Sequence, residues 1–427
     1  MTDWLIKHGR VVDPMGQLDV VADVHIRHGR IQAIAPGLEI PNIPRIDASR
    51  LIVAPGLVDL CARLREPGAE YKATISSETK AAAAGGITSL CIPPDTRPVL
   101  DTPAVVELIE QRAQQVNYRT KLYCLGALTR KLQGEQLSEM AALRRAGCVG
   151  VSNALRPIKD TLTRMRCMQY AKSMQMTLYL HAEEHSLAEH GCAHESALTA
   201  QLGLLGVPTS AETMAIAKDL ILIEQTGVKA HFCRISSGRG ARLIADGLAQ
   251  ELDISADVAA HQLHLTEAEL ADYDSNLHLR PPLRSETDRQ SLLDYVRQGV
   301  ISVICSDHQP HEAAAKFAPF PESEVGMSAL ETLLPLTLSA GKRANLSLSQ
   351  TLALVTTNPA QRLGINAGHL AVGAEADICI FDPEYKWQPD QHWQSRGRNS
   401  VFLDREQQGK VFYTLVNGEL VYQFPSE

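Results

Sequence analysis

The sequence predicts an α/β protein: a (β/α)8 TIM barrel with a small β-sandwich domain formed by the N- and C-terminal segments. Eight short β-rich runs alternate with amphipathic helical stretches in the middle of the chain, as in a barrel of parallel strands. Both ends instead alternate apolar and polar residues, the period of a half-buried strand. The length of 427 residues suffices for one large domain and one smaller domain.

Changes in these patterns define the expected domain boundaries. Residues 1–55 and 365–427 are expected to form the two parts of the small β domain, and residues 56–364 the barrel. In the C-terminal part, Asn417-Gly418 separates two strand-like runs and therefore predicts a tight hairpin.

The barrel strands are expected at eight places along the middle of the chain. These are residues 56–62, 86–92, 121–127, 148–152, 177–181, 228–235, 253–260 and 300–307. One intervening helix begins with the capping residue Ser285 and stops at Gly299, and another covers 136–146. An open doubly wound sheet is the alternative arrangement of the same units. In a barrel, the chemistry lies at the C-terminal ends of the strands.

Composition excludes several classes of function. A net charge of -8 argues against nucleic acid or an anionic membrane surface as the main partner. The nine cysteines include no Cys-x-x-Cys pair, which favours buried free thiols in a reducing compartment. The N-terminus lacks the apolar core of a signal peptide, and no apolar run reaches the ~18 residues of a membrane span. We therefore expect a cytoplasmic globular protein.

Phrases throughout the chain resemble the dihydroorotases of the amidohydrolase superfamily. They include APGLVDL (54–60), LREPGAEYK (64–72), HAEEHSLAEHG (181–191), RPPLR (280–284), SDHQPH (306–311) and TTNPAQRLG (356–364). The resemblance covers almost the whole chain, in order. It implies a barrel whose mouth, in the family, holds the metal that hydrolyses a cyclic amide.

At the metal positions the sequence departs from that family. The resemblance implies His-x-His after strand 1, where this chain has Cys61 and Arg63. It implies a carboxylate or a modified lysine after strand 4, where this chain has Asn153. It implies a histidine after strand 6, where this chain has Arg234.

The remaining donors are too few for a catalytic metal. Zinc in such sites takes about three protein ligands and a water, and His181 and Asp307 alone match the family. Cys61 could add a thiolate, but the guanidiniums of Arg63 and Arg234 donate no lone pair and repel a dication. We therefore expect no zinc, and no catalytic residue beyond the remnant Asp307. We hypothesise that a salt bridge from one of the arginines replaces the metal.

The positions that hold the substrate carboxylate in dihydroorotases are also altered. Arg65 and His311 match the family, whereas Asp95 and Arg280 stand where the resemblance implies asparagines. Asp95 would repel the carboxylate of dihydroorotate, and Arg280 could compensate for it.

Three functions remain open. The resemblance extends to a branch that pairs aspartate carbamoyltransferase with a dihydroorotase-like chain lacking metal ligands. It implies a pseudoenzyme, a structural subunit of pyrimidine biosynthesis in a dodecamer of six plus six chains. The second function is an active zinc-dependent cyclic amidohydrolase with a mononuclear site on Cys61, His181 and Asp307, acting on dihydroorotate, a hydantoin or allantoin. The third is a sensor that uses Arg65, Arg280 and His311 as an anion pocket without turnover.

Three further features allow local predictions. Two nearby arginines would lower the pKa of the Cys61 thiol, although no general base is evident in the sequence. Ser237-Gly-Arg-Gly240 lacks the lysine of a phosphate-binding loop and is predicted to be a strand-to-helix turn. The proline-rich stretch 309–328 is expected to be a loop beside the site, or a disordered or contacting segment.

Overall fold

The structure is a computed structural model that describes residues 3–116 and 120–425. Its strands are, in chain order, β1 (Trp4–Asp13), β2 (Leu18–Arg27), β3 (Arg30–Ala35), β4 (Arg45–Asp47), β5 (Ile52–Pro55), β6 (Leu57–Asp59), β7 (Ile87–Ile92), β8 (Lys121–Ala127), β9 (Gly150–Ser152), β10 (Thr177–His181), β11 (Ala193–His194), β12 (Gly206–Val207), β13 (Ala230–Cys233), β14 (Ile254–Ala259), β15 (Val303–Cys305), β16 (Ile378–Trp387), β17 (Gln407–Val416) and β18 (Glu419–Gln423). Its α-helices are α1 (Ile75–Ala84), α2 (Pro103–Gln114), α3 (Met140–Arg145), α4 (Thr161–Ser173), α5 (His185–Ala188), α6 (Ala197–Gln201), α7 (Thr209–Thr226), α8 (Gly238–Ala249), α9 (Glu286–Arg297), α10 (Leu333–Arg343), α11 (Leu348–Ala353), α12 (Thr357–Leu363) and α13 (Pro389–His392).

A nearly closed barrel of eight parallel strands forms the centre of the molecule. The strand order is β6-β7-β8-β9-β10-β13-β14-β15. An isolated parallel bridge between Ala62 and His308 joins the ends of the first and last strands, and Arg63 N donates to His308 O at 2.9 Å. Strands such as β7 and β14 are buried along their whole length, as expected for strands covered on both faces. The predicted barrel is confirmed, and the open-sheet alternative is wrong.

Local signals located most helix ends correctly, with one exception. Ser285 accepts a hydrogen bond from Asp288 N and begins α9 as predicted. The helix expected at 136–146 begins at Met140 instead. Leu137 forms a β-bridge with Thr129, and Ser138 Oγ donates to Ala127 O, so these residues are held against the chain that follows β8. Long-range pairing here overrides the helical pattern.

Strands from both chain ends form a second sheet. They lie on one hydrogen-bonded path, β18-β17-β16-β5-β1-β2-β3, with β4 also paired to β1. The path curls so that its distant strands share one apolar core, in which Ile31 of β3 and Leu415 of β17 both lie. A Cβ on Gly418 would lie 2.7 Å from Gly29 Cα, so the predicted Asn417-Gly418 hairpin packs directly against the β2–β3 turn.

A buried acid–base pair connects the barrel to the C-terminal segment. Glu331, just before α10, accepts hydrogen bonds from the backbone N–H groups of Gln394 and Ser395 at 2.8–3.0 Å. Burial raises the pKa of Glu331 to about 7. Burial lowers the pKa of Lys410, whose ammonium lies 3.6 Å from the Trp387 ring centroid, to about 8. Both groups titrate closer to neutrality than in the unfolded chain.

The stability of the protein should therefore depend on pH through Glu331. Because its pKa is raised on folding, the stabilisation from the protonated form is complete below about pH 4.5 and is lost as the pH rises through about 7. A Glu331→Gln variant mimics the protonated acid and lacks this dependence. The unfolding free energy of the wild type minus that of the variant should fall between about pH 5 and about pH 7.5, measured by urea denaturation. A difference that stays constant or rises would contradict the assignment.

The turn at Ser237-Gly-Arg-Gly240 is filled by a side chain of the protein itself. Glu212, which is 4% exposed, accepts hydrogen bonds from Ser236 N at 2.9 Å and Ser237 N at 3.0 Å, and from both hydroxyls. Its carboxylate thus occupies the start of α8, where a phosphate would otherwise sit. The turn is a structural junction between β13 and α8.

Removing this carboxylate should destabilise the fold. In a Glu212→Ala variant four buried donors lose their acceptor, and we expect a loss of about 2–4 kcal/mol of unfolding free energy. The control is Glu224→Ala on the exposed side of the same helix, α7, which should change stability by about 0.5 kcal/mol or less. Equal effects from the two substitutions, measured by chemical denaturation, would refute this role.

All nine cysteines lie in the described part of the chain and are buried free thiols. In that same part, no helix is both long and apolar enough to cross a bilayer.

Candidate functional site

The ends of β6, β13 and β15 bring four of the predicted site residues together at the barrel mouth. Cys61 Sγ lies 3.5 Å from Asp307 Oδ1. Arg234 Nη1 donates to Cys61 Sγ at 3.1 Å, and Arg63 Nη1 lies 3.9 Å from the same sulfur. Both arginines and the carboxylate are at most 5% exposed at their side chains. This group, Cys61, Arg63, Arg234 and Asp307, is called the arginine cluster below.

Asp307 lies between the two guanidiniums of the arginine cluster. Its Oδ1 is 3.4 Å from Arg63 Nη1 and 3.5 Å from Arg234 Nε. Its Oδ2 accepts a hydrogen bond from Gln309 Nε2 at 3.2 Å. Arg63 also donates through Nε to Asp95 Oδ2 at 2.8 Å. Two cations therefore face two carboxylates in a largely buried space, and the charges balance without any added ion.

The ionisation of the cluster differs from the sequence-based interpretation at one residue. Burial raises the pKa of the Cys61 thiol to about 12, although Arg234 and Arg63 act in the opposite direction. The two arginines act to lower this pKa as expected, but desolvation of the thiolate outweighs their attraction, so the net shift is upward. Burial also disfavours a charged Asp95, but Arg63 and Arg65 hold its pKa below the usual value. Cys61 is thus a neutral thiol at physiological pH.

The donor set does not fit the catalytic zinc that a cyclic amidohydrolase uses. A ligand group needs donor atoms that converge around one point. In such a group the donor atoms all lie within 4.8 Å of one another. Among the described residues, Cys61, His181 and Asp307 do not meet this condition. Guanidinium nitrogens contact both Cys61 and Asp307 instead.

One set of donor atoms does meet the 4.8 Å criterion within the described chain: His231, Cys233 and Asp257. Both ring nitrogens of this histidine are already bonded, Nδ1 to Ser255 Oγ at 2.7 Å and Nε2 to Asp257 Oδ2 at 2.8 Å. Asp257 Oδ1 accepts from Arg234 N at 2.6 Å, where Arg234 has a φ of 55°. We interpret the set as an internal polar network that holds the Arg234 backbone in place. The aspartate inside the apolar run DISADVAA was the sequence signal for it.

Asn153, at the family's carboxylate position, holds loops together. Its Oδ1 accepts from Thr129 Oγ1 at 2.7 Å. Its Nδ2 donates to Arg156 O at 2.9 Å, while Arg156 N donates back to Asn153 O at 3.0 Å. The amide therefore fixes the loop that follows β9, and its oxygen is engaged by a hydroxyl.

His181 lies apart from the arginine cluster and has few partners. Its side chain is 7% exposed, and Nε2 is 3.6 Å from Glu183 Oε2. Within the described residues neither ring nitrogen has a hydrogen-bond partner. Glu183 is held by Arg280, whose Nε donates to it at 2.9 Å. Although burial opposes it, His181 and Arg280 lower the pKa of Glu183 to about 2.

Arg280 is therefore engaged, contrary to the sequence-based expectation that it could offset Asp95. Glu183, which the motif HAEEH contains, is the partner that the sequence analysis missed. Sequence separation of 97 residues hides such a pair from local patterns. Asp95 is balanced by Arg63 instead.

Arg65 and His311 do meet, in a concentration of positive charge. Arg65 Nη2 lies 2.8 Å from His311 Nε2, and Lys72 Nζ lies 3.1 Å from His311 Nδ1. Burial and the neighbouring cations lower the pKa of His311 to about 2 and that of Arg65 to about 10. Burial lowers the pKa of Lys316 to about 8. Lys72 and Lys316 were not predicted as site residues, since nothing in the local sequence distinguishes them from surface lysines.

This positive region borders a cavity of about 530 Å³ at the barrel mouth. Arg65, Arg280 and His311 line it together with residues 321–325 of the proline-rich stretch. That stretch is folded, with Lys316 Nζ donating to Ser275 O at 3.0 Å. It forms one wall of the cavity, as expected for a loop beside the site.

Comparisons with known proteins show the family and the fold of the chain. A family described as dihydro-orotase-like matches residues 49–239, and a second, described as an amidohydrolase family, matches residues 327–422. A dihydroorotase-like protein of Pseudomonas aeruginosa is 46% identical over 98% of this chain and 99% of its own. A dihydroorotase of a Geobacter species is 37% identical with the same coverage. The L-hydantoinase (dihydropyrimidinase) of Arthrobacter aurescens shares the fold, with a TM-score of 0.88, 22% identity, and coverage of 99% of this chain and 96% of that one.

Proposed function

Because the chain belongs to the dihydroorotase-like family of amidohydrolases, we propose that it is a catalytically inactive member that serves as a structural subunit. Its partner in this proposal is the catalytic chain of aspartate carbamoyltransferase, in a complex of six plus six chains.

The arginine cluster carries the proposal of inactivity. Arg63 and Arg234 supply positive charge to Asp307, as the metal does in a working enzyme, but a guanidinium offers no bound water. Without a metal-activated hydroxide and a Lewis acid, a ring amide lacks its nucleophile and its activation. Asp307 is ion-paired and bonded to Gln309, so it is not free to act as a base. The alternative of a mononuclear zinc hydrolase requires ligands that do not converge in the described structure.

The partnership rests on the resemblance of the sequence to inactive chains that associate with the transferase. The chain keeps the family's sequence motifs for turns and core positions but has lost its metal ligands. Such a fold is retained for something other than its reaction. Assembly is the use that this resemblance implies.

Co-purification tests the partnership directly. The affinity-tagged chain, expressed in its own host, should recover the transferase catalytic chain in a 1:1 ratio, and light scattering should give the mass of a dodecamer. A dihydroorotase from the same host, carrying the same tag, serves as the control for nonspecific recovery. Recovery of the tagged chain by itself, as a monomer or homo-oligomer, would refute the proposed assembly.

One observation favours a second function, the binding of an anion in the larger cavity of about 530 Å³. Arg65 and Lys72 contact the His311 ring, and Lys316 adds a third nearby cation. Glu324, which lies 3.3 Å from Lys72 Nζ, is 58% exposed at its side chain. Buried like charges favour a bound anion. Calorimetry with dihydroorotate and N-carbamoyl-aspartate tests this function, with Arg65→Gln as the variant that should abolish binding. No heat from either compound at millimolar concentration would exclude it.

A further inference from the structure

A second, smaller cavity opens at the barrel mouth, between the loops that follow β9 and β10. Its volume is about 260 Å³. Residues 155–159 of one loop and residues 183–186 and 189 of the other line it, with His181 at the end of β10. Glu183 lines this cavity and Arg280 lines the larger one, so their ion pair stands between the two. We call this smaller cavity the His181 pocket.

The histidine gives this pocket a polar group without a hydrogen bond, since its nearest charged neighbour, Glu183 Oε2, lies 3.6 Å from Nε2. The His181 side chain is only 7% exposed, yet within the described residues both of its ring nitrogens lack hydrogen bonds. An unsatisfied buried polar group costs about 1–3 kcal/mol unless something bonds to it. A ligand in the pocket is positioned to supply that bond.

The lining of the pocket carries four lysine and arginine side chains against three carboxylates, those of Glu183, Glu184 and Glu189, which leaves a positive excess of one. Two of its lysine and arginine side chains are already paired: Lys218 Nζ lies 2.8 Å from Glu184 Oε2, and Arg164 Nε lies 2.5 Å from Asp219 Oδ1. Arg156 and Lys159 also line the pocket. In the part of the chain that the structure describes, neither has a carboxylate partner. Both are exposed at the entrance, where they remain hydrated and available to a ligand.

The entrance is held in shape by Asn153. Its amide bonds to Arg156 O at 2.9 Å and fixes the backbone from which the Arg156 side chain projects. A side chain on a fixed loop loses less entropy on binding than one on a mobile loop.

We propose that the His181 pocket binds a small organic or inorganic dianion that carries carboxylate or phosphate groups. Arg156 and Lys159 neutralise its charge at the entrance, and the ring N–H of His181 donates to an oxygen at the base. A volume of about 260 Å³ admits a metabolite-sized anion rather than a nucleotide. This binding requires neither the transferase nor turnover, so it is independent of the proposed function.

Calorimetry on the purified full-length chain tests the proposal with malonate and inorganic phosphate as separate probes. The wild type should bind one equivalent of at least one probe, and the preferred probe distinguishes a carboxylate from a phosphate ligand. A double variant, Arg156→Gln with Lys159→Gln, should weaken binding at least tenfold, a change of about 1.4 kcal/mol. Both residues are exposed, so this variant should remain folded.

Two controls separate this site from other sources of binding. The double variant Arg130→Gln with Lys131→Gln removes the same charge from a nearby exposed segment that does not line the pocket, and it should leave the affinity unchanged. His181→Asn should weaken binding in metal-free buffer containing a chelator. Equal weakening by both double variants, loss only in Arg65→Gln, dependence of binding on added zinc, or no binding at millimolar probe would each overturn the proposal.

Discussion

Replacing Asp307 with asparagine should lower the free energy of unfolding by about 3–5 kcal/mol, the usual result of removing one partner from a buried ion pair. The substitution leaves Arg63 and Arg234 as buried cations, although Arg63 keeps its bond to Asp95. The cost arises because a guanidinium does not neutralise itself by losing a proton at accessible pH.

Urea denaturation of Asp307→Asn beside the wild type measures this loss. The matched control is Asp390→Asn, which alters an ion pair to Arg398 whose side chains are 50–53% exposed, and it should change stability by about 0.5 kcal/mol or less. An Asp307→Asn protein within about 1 kcal/mol of the wild type would show that the arginine cluster does not stabilise the fold.

The second large expected effect is the absence of hydrolysis. Dihydroorotate incubated with the purified chain and excess zinc should open at the rate seen in buffer, whereas working enzymes accelerate their reactions by about a millionfold or more. The same result is expected for hydantoin and allantoin. The reason is the unfavourable geometry of the donor atoms, which added zinc does not change.

Chromatographic measurement of the ring-opened product provides the assay, with an active dihydroorotase as the positive control. A zinc-dependent rate that disappears in a Cys61→Ala variant would establish the mononuclear hydrolase and refute inactivity. A rate that Cys61→Ala and Asp307→Asn leave unchanged would originate from a contaminating hydrolase.

Most of the fold was accessible from sequence because its signals are local. Eight apolar runs separated by capped helices specify a barrel, and Asn417-Gly418 specifies a hairpin whatever surrounds them. The first turn of the helix predicted at 136–146 was not accessible, since residues 137 and 138 pair with the chain after β8.

The site was predictable only in part, for a related reason. Barrel topology brings strand ends together. The proximity of Arg63 and Asp307 therefore follows because β6 and β15, the first and last barrel strands, are neighbours. The Glu183–Arg280 pair and the high pKa of Cys61 depend on three-dimensional distances and burial that no spacing encodes. Lys72 became visible as part of the positive region only once His311 was placed beside it.

A crystal of the protein grown with excess zinc, with anomalous diffraction recorded at the zinc edge, tests most directly whether the arginine cluster has replaced the metal. We expect no anomalous peak among Cys61, His181 and Asp307, and we expect both guanidiniums to lie against the Asp307 carboxylate. A tetrahedral zinc ion bound by these three residues, with Arg63 and Arg234 turned away, would contradict this expectation.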